Sequence, residues 1–350
     1  MPVPDAGWGE RLRRVWWELW RPTGRADPVA GAVAGFALAV PLLAAVWAGR
    51  PAVGASTALP VVLVALPLPA AAGRGERVRI LLARTAWLTG AGIYVWLIGP
   101  RTWPLVAGVT VAAAAGALAP RVGVIAPLAV LMVGITGSGA SPAVPGVEQL
   151  AGGLWASSLL LPRWGRPCPD MPAPPSVPAP RPVPAPPRWR HAARLALLVG
   201  IVSSLLTLGG RLGGEMHWLV TSILLTTQPT PEATRAKGVK RVLGNTVGGI
   251  ATALILIPRP DPTAVAVTVG LAGAAAYGGR PANYLYWTLA APLLLLLLSD
   301  YDRQVPWYAA AVRAGLNILG GALALTAARW LWPTHPWRKA PPAEGGPPRA

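Results

Sequence analysis

Cysteine, phenylalanine, histidine, lysine and acidic residues are all scarce in this 350-residue chain. Its single cysteine, Cys168, excludes an intrachain disulfide and any cysteine cluster. Its three histidines, His191, His217 and His335, lie far apart in sequence, which argues against a histidine metal site. No metal or cofactor is expected. Asp and Glu number 13 in total, and almost none falls within an apolar run, so a relay of buried carboxylates has little to be built from. No His/Asp/Glu constellation suited to acid–base or metal chemistry is present, and the chain is not read as an enzyme. Charged residues of all types make up 13%, against roughly 25% in an average soluble domain. That shortage excludes an ordinary water-soluble domain and a disordered tail protein.

What is abundant is apolar residues, 53% of the chain, and arginine, which dominates 31 basic residues and a formal net charge of +18. A strongly basic chain suggests a nucleic-acid binder if its charge forms one patch. Here the charge punctuates uncharged stretches of roughly 17–25 residues, the length of a bilayer-crossing helix. None occurs between Arg50 and Arg74, between Arg101 and Arg121, or between Arg280 and Asp300. The pattern predicts an all-α polytopic membrane protein with about twelve spans, at 28–48, 53–70, 78–98, 103–119, 122–137, 146–162, 191–208, 216–229, 238–257, 263–277, 283–298 and 306–331. Membrane lipids are the expected surroundings and nucleic acid is not an expected partner; a homo-oligomer is left open.

The Lys/Arg distribution orients these spans. With the N-terminus inside, the inner connections carry most of the basic residues, including Arg74, Arg77, Arg79, Arg121, Arg235, Lys237, Lys240, Arg241 and Arg280. The outer ones carry Arg50, Arg101, Arg211, Arg259 and Arg303, nearly balanced by Glu215, Asp261, Asp300 and Asp302. Both termini and the central linker are therefore expected in the cytoplasm, and the spans in the inner membrane of a bacterium. The first apolar span is too long for a signal-peptide core and follows a Trp/Arg-rich stretch, so no cleaved signal is expected.

Five regions are expected. Residues 1–27 are a cytoplasmic segment whose stretch 8–20 places Trp8, Leu12, Val15, Trp16 and Leu19 on one helical face, as in a helix lying at the membrane interface. Residues 28–162 hold six spans, 163–190 are a proline-dense linker favouring an extended conformation, 191–333 hold six more, and 334–350 are a disordered tail. The two sets of spans look alike. At an offset of 161 residues, Gly49-Arg50 falls on Gly210-Arg211, Ala72 and Arg74 fall on Ala233 and Arg235, and Val78, Leu82 and Thr85 fall on Val239, Leu243 and Thr246. Two six-helix repeats keep the same orientation, the geometry of parallel-repeat transporters.

Polar residues at membrane depth are the candidates for function. Arg84 and Thr85 lie in the third span and align with Asn245 and Thr246 in the ninth; Arg313 and Asn317 share a face of the last helix. A cationic path lined by Asn and Thr favours an anionic solute. Arg84 and Arg313 are equally readable as partners of headgroups or of helix C-terminal carbonyls. Gln228, Thr230, Arg235, Lys240 and Arg241, in and after a proline-marked turn, are read either as an inner vestibule that collects anions or as a topology signal with a turn. Gly31/Gly35 and Gly244/Gly248 have the spacing that permits close helix approach. Pro60, Pro67, Pro127 and Pro292 are candidate helix breakers.

The stretches HWLVTSILLTTQP (His217–Pro229), TRAKGVKRVLGNTVGGIATALILI (Thr234–Ile257) and VRAGLNILGGALALTAARWLWP (Val312–Pro333) resemble the fusaric acid resistance and aromatic acid exporter family. The resemblance covers residues 190–333 and extends to the first half only through the repeat. Asn245 and Asn317 stand where that family often has Thr, Pro67 and Pro69 stand where a Gln-Pro turn is usual, and no large cytoplasmic domain separates the halves. The resemblance implies an exporter of aromatic or other organic acid anions. The related plant malate channels imply a second reading, passive organic-anion conduction, and a non-transporting scaffold is the alternative from another class.

The orientation is checked at Cys168. An impermeant thiol reagent is expected to leave it unlabelled in intact cells and to label it in inverted vesicles; labelling from outside intact cells overturns the assigned sidedness.

Overall fold

The computed structural model describes residues 8–68, 72–136, 144, 146–162, 188–210, 214–299, 301 and 308–331. Among these residues all regular structure is helical: α1 (Trp8–Trp20), α2 (Pro28–Trp47), α3 (Pro51–Val64), α4 (Arg74–Ile98), α5 (Thr102–Leu118), α6 (Ile125–Thr136), α7 (Val147–Leu160), α8 (Arg188–Leu208), a short 3-10 turn (Gly214–Met216), α9 (His217–Thr226), α10 (Pro231–Leu256), α11 (Pro262–Gly279), α12 (Tyr284–Ser299) and α13 (Tyr308–Trp330). Cys168, the tail 334–350 and the linker up to residue 187 lie outside the described residues; the expected linker's last three residues instead begin α8. By length and composition α2, α4, α8, α10 and residues 311–330 of α13 are able to cross a membrane, while α3, α5, α6, α9 and α12 are apolar but shorter.

The starts of several helices follow from local chemistry. Asp27 accepts from Ala30 N at 2.9 Å ahead of Pro28 in α2, and Thr230 accepts from Ala233 N ahead of Pro231 in α10. Asp261 accepts from Ala264 and Thr263 N–H groups, which hold its carboxyl below the usual carboxylate range. Each is a side-chain cap followed by a proline, whose missing N–H costs nothing in the first turn.

Three expected spans are cut short. The segment expected at 53–70 ends at Val64, and the one at 216–229 ends at Thr226. Pro67 follows within three residues of the first end. In the second, Thr227 is already extended (ψ 124°) and Pro229 and Pro231 follow, where α conformation is disfavoured. The segment expected at 122–137 starts at Ile125, because Gly123 turns the chain with φ +59°. Pro60 and Pro292, by contrast, sit inside continuous helices.

The short helices occupy the middle. Residues 58–64 of α3, 125–133 of α6 and 217–224 of α9 are buried without interruption. Long helices flank them. The most extensive contact is α2 with α11, and it joins one half of the chain to the other, as α5 with α8 also does. Within the first half α4 packs on α6 and α7, and α3 on α7. Within the second, α10 packs on α12 and α13, and α9 on α13. Glycine makes the tightest of these contacts. A Cβ on Gly31 would stand 2.5 Å from Ala274 O, and one on Gly35 would stand 2.6 Å from Gly270 O, so α2 touches the α11 backbone. A Cβ on Gly244 or Gly248 would strike Thr288 or Leu289 of α12.

Outer faces are apolar. Leu205, Ile250, Leu254 and Leu271 are each at least 60% exposed, a costly arrangement in water at about 25 cal/mol per Å² and a natural one in lipid. Exposed tryptophans cluster at helix ends: Trp47, Trp96 and Trp103 at one end of the bundle, Trp189 and Trp330 at the other. Aromatic girdles of this kind mark the two membrane interfaces. Helix α1 exposes Trp16 and Trp17 and is tied to the α11–α12 connection. There Asn283 Nδ2 donates to the carbonyls of Leu19 and Arg21, its Oδ1 accepts from Lys240 Nζ and Leu285 N, and Tyr286 Oη donates to Trp20 O.

Arg84 belongs to the fold. It is 6% exposed, and its guanidinium donates to the carbonyls of Val64 (2.9 Å), Leu66 (2.5 Å) and Pro67 (3.1 Å), closing the C-terminal end of α3. A cation at a helix C-terminus complements both the dipole and the orphan carbonyls. Arg84→Ala is therefore expected to cost on the order of 3 kcal/mol, read as loss of folded protein in detergent; an unchanged melting temperature contradicts the capping role. Gly248→Leu is expected to prevent folding by forcing α10 from α12. Gly315→Ala faces open space and is expected to change stability by no more than about 1 kcal/mol.

Candidate functional site

Helices α9, α10, α12 and α13 enclose a cleft of about 390 Å³ of atom-free space, counting its open mouth. Its polar wall is Trp218, Arg241, Asn245, Arg313 and Asn317; Gly249, Pro292 and leucines of α12 form the apolar wall. Gly249 leaves room on α10 where a side chain would fill the space. Each polar member is held in place. Arg241, 3% exposed, donates from Nη2 to Asn317 Oδ1 at 3.0 Å. Asn317 Nδ2 donates to Arg313 O, and Ser222 Oγ donates to Asn317 O, both at 2.9 Å. The Arg313 guanidinium stacks 4.8 Å from the Trp218 ring centroid. It also makes a two-pronged ion pair with Glu215, Nε to Oε2 at 2.5 Å and Nη2 to Oε1 at 3.0 Å.

The electrostatics follow from this inventory. Two guanidiniums line the cleft and one carboxylate faces them, from a 3-10 turn that leaves its side chain 34% exposed. Arg241 Nε and Trp218 Nε1 are buried and have no hydrogen-bond partner among the described residues. An excess cation and unused donors in an apolar surrounding favour an incoming acceptor with negative charge. The apolar wall of α12 suits a hydrocarbon or aromatic body attached to it.

The structure brings Asn245, Arg313 and Asn317 together and adds Arg241 to them. It does not gather the six path residues into one site. Arg84 caps α3. Thr85 Oγ1 meets Ser157 Oγ at 3.2 Å, linking α4 to α7, and Thr246 Oγ1 donates back to Val242 O within its own helix. Nor do the five vestibule residues form a single basin. Gln228 is held by the turn through Thr234 Oγ1 and Thr227 O, Thr230 caps α10, Arg235 is exposed, Lys240 is bound to Asn283, and Arg241 faces the cleft. Their spacing alone does not settle this: Lys240 and Arg241 are adjacent, and a helix turns them about 100° apart.

Sequence reading missed Trp218 and the role of Glu215. The signal for Glu215 is physical: an arginine inside an apolar helix needs a counter-charge, and few acids stand near a span end on that side. The pair spans 98 residues of chain, beyond any local pattern. Among the described residues no group of three or more His, Cys, Asp or Glu is placed to hold a metal.

Residues 195–327 match the family described as fusaric acid resistance protein-like. The inner membrane protein YccS of Escherichia coli (strain K12) is 26% identical over 153 residues, 44% of this chain and 21% of that protein. The chain thus aligns with only about a fifth of that relative's length. No solved structure matches it. Every residue that lines the cleft falls within the matched segment, so the part of the chain that holds the cleft is the part similar to fusaric acid resistance protein-like domains.

Proposed function

We propose that the protein is a multi-pass transporter of the bacterial inner membrane that moves small organic anions, aromatic carboxylates among them, through the cleft of its second half, with export as the direction. The observation that carries this reading is the composition of the cleft: Arg241 and Arg313 against a single carboxylate, beside unused N–H donors and an apolar wall. A carboxylate there gains charge-assisted hydrogen bonds that water or a neutral solute does not supply in the same measure.

The proposed architecture is twelve membrane helices in two parallel repeats, α2–α7 and α8–α13, with both termini inside. Its support is the pairing of helices. Matched by order, α4 on α6 and α7 corresponds to α10 on α12 and α13, and α3 on α7 to α9 on α13. Between halves, α2 on α11 corresponds to α8 on α5. Such reciprocity is what a two-fold axis along the membrane normal produces. Gly152 close to Thr57, and Gly320 close to Leu219 and Ser222, repeat the same contact in each half. The match to an inner membrane protein supports the location.

In this reading Glu215 occupies Arg313 when no solute is present, and a solute carboxylate takes its place. Vesicles reconstituted with the purified chain are expected to move benzoate and not benzamide. Arg313→Gln and Arg241→Gln are expected to lower benzoate flux by roughly tenfold or more, with melting temperatures near wild type. Equal movement of benzamide, or full flux in both variants, refutes the anion reading. Dependence of flux on a pH gradient separates a proton-coupled carrier from a passive channel.

A further inference from the structure

The end of the bundle bearing the α9–α10 and α11–α12 connections holds a second group of cations that the cleft does not use. Arg280 lies with its guanidinium 4.7 Å from the centroid of Trp287, itself 5% exposed, and 5.9 Å from that of Tyr284. Lys237 Nζ stands 5.4 Å from the Tyr284 ring. Lys237, Arg241 and Arg280 are all within electrostatic reach of the Tyr284 hydroxyl, and Lys237 is within reach of the other two. The Trp287 ring is braced edge-on by Tyr277, with centroids 4.8 Å apart, and Tyr277 is anchored to Val62 O at 2.6 Å.

Basic residues at a cytoplasmic helix end are usually a solvated topology signal. This group differs in three respects. Lys237 and Arg280 rest on aromatic faces, which fixes them and leaves the edge of the Arg280 guanidinium available. Arg280 Nη1 and Arg241 Nε are buried with no hydrogen-bond partner among the described residues. Among the described residues, the ion pairs Arg121–Glu76 and Arg313–Glu215 do not involve this group.

We propose that Lys237, Arg241, Arg280 and Tyr284 form a second anion site, which takes a carboxylate or phosphate group and shares Arg241 with the cleft. The inference rests on the reading of the cleft as an anion path. Trp287 and Tyr284 supply a flat surface for whatever carries the anionic group. Arg241 donates to Asn317 on its cleft side and lies next to Tyr284 on the other. Lys237 is one helical turn before it on α10. Arg313, Asn317, Arg241 and Lys237 thus form a continuous polar line from the mouth of the cleft to this end of the bundle. An anion at the second site draws on the guanidinium that the cleft needs, so the two sites are coupled through a single side chain. A free solute and the headgroup of an anionic lipid share the required chemistry.

Binding to the full chain in a neutral detergent tests this, with benzoate and inorganic phosphate as probes in calorimetry and phosphatidylglycerol retention followed by native mass spectrometry. Wild type is expected to take two equivalents of benzoate. The Lys237→Gln/Arg280→Gln variant is expected to lose one, Arg313→Gln the other, and Arg241→Gln to weaken both by roughly tenfold or more. Arg280→Lys, which keeps the charge, is expected to retain partial binding and serves as the folding control. Retention of phosphatidylglycerol by wild type and its loss in the double variant, with no free-anion response there, supports the site with a lipid as its occupant. A single equivalent that disappears with Arg313→Gln and is unaffected by the double variant overturns the second site and leaves the cleft standing. A single equivalent lost only in the double variant supports the second site and removes the cleft reading. No binding of either probe or of lipid overturns the proposal.

Discussion

A guanidinium buried among apolar helices must be given oxygen atoms, because an unpaired charge in such surroundings costs several kcal/mol. The chain meets that requirement differently in its two halves. In the first, the Nη atoms of Arg84 donate to three carbonyls at the end of α3 while its Nε has no partner among the described residues, and its charge serves to terminate a helix inside the bundle. In the second, Arg241 donates to the amide oxygen of Asn317 and Arg313 pairs with the carboxylate of Glu215, and Arg241 Nε is left over beside Trp218 Nε1. The position aligned with Arg84 is Asn245, too short to reach carbonyls in the same way, and it lines the cleft. In the proposed two-repeat architecture, the counterpart of a cation that ends a helix is thus an amide that lines the proposed solute path.

That separation depends on backbone proximity. Where Gly31 and Gly35 let α2 meet α11, and where Gly244 and Gly248 let α10 meet α12, the helices touch without intervening side chains. Association of helices in lipid has no hydrophobic drive between them and relies on such packing. The α10–α12 contact also forms one wall of the cleft, where Gly249 and Pro292 stand beside it. The same helix carries Lys237 and Arg241 along its length, so its fixed rotation sets both of the proposed anion-facing surfaces.

Much of this was legible in the sequence, and the exceptions have physical causes. Uncharged stretches located the helices, and the glycine spacings identified two close crossings, because hydrophobic length and small-residue period are local properties. The early stops of α3 and α9 were marked by Pro67, Pro229 and Pro231, but a hydropathy reading ran through Pro67. Asn245, Arg313 and Asn317 were recognisable as polar residues at depth, and the structure brings them into one cleft. Arg84, read either as a path residue or as a partner of headgroups or helix C-terminal carbonyls, meets carbonyls, and Arg241, read as part of a vestibule or as a topology signal, faces the cleft, since depth in a span does not reveal what a long side chain reaches. Glu215 and Trp218 needed the fold, because their partner Arg313 is nearly 100 residues away and on another helix.

Asn283 ties α1 to the bundle with all four of its hydrogen-bonding positions in use, two as donor and two as acceptor. Aspartate offers no donor for the two carbonyls of α1. Leucine has the volume and none of the valence, and glutamine sets the same amide one methylene too far out. The residue at this joint is therefore chosen by its count of lone pairs and protons, and drift in sequence elsewhere in the bundle has to proceed around a position that admits one letter.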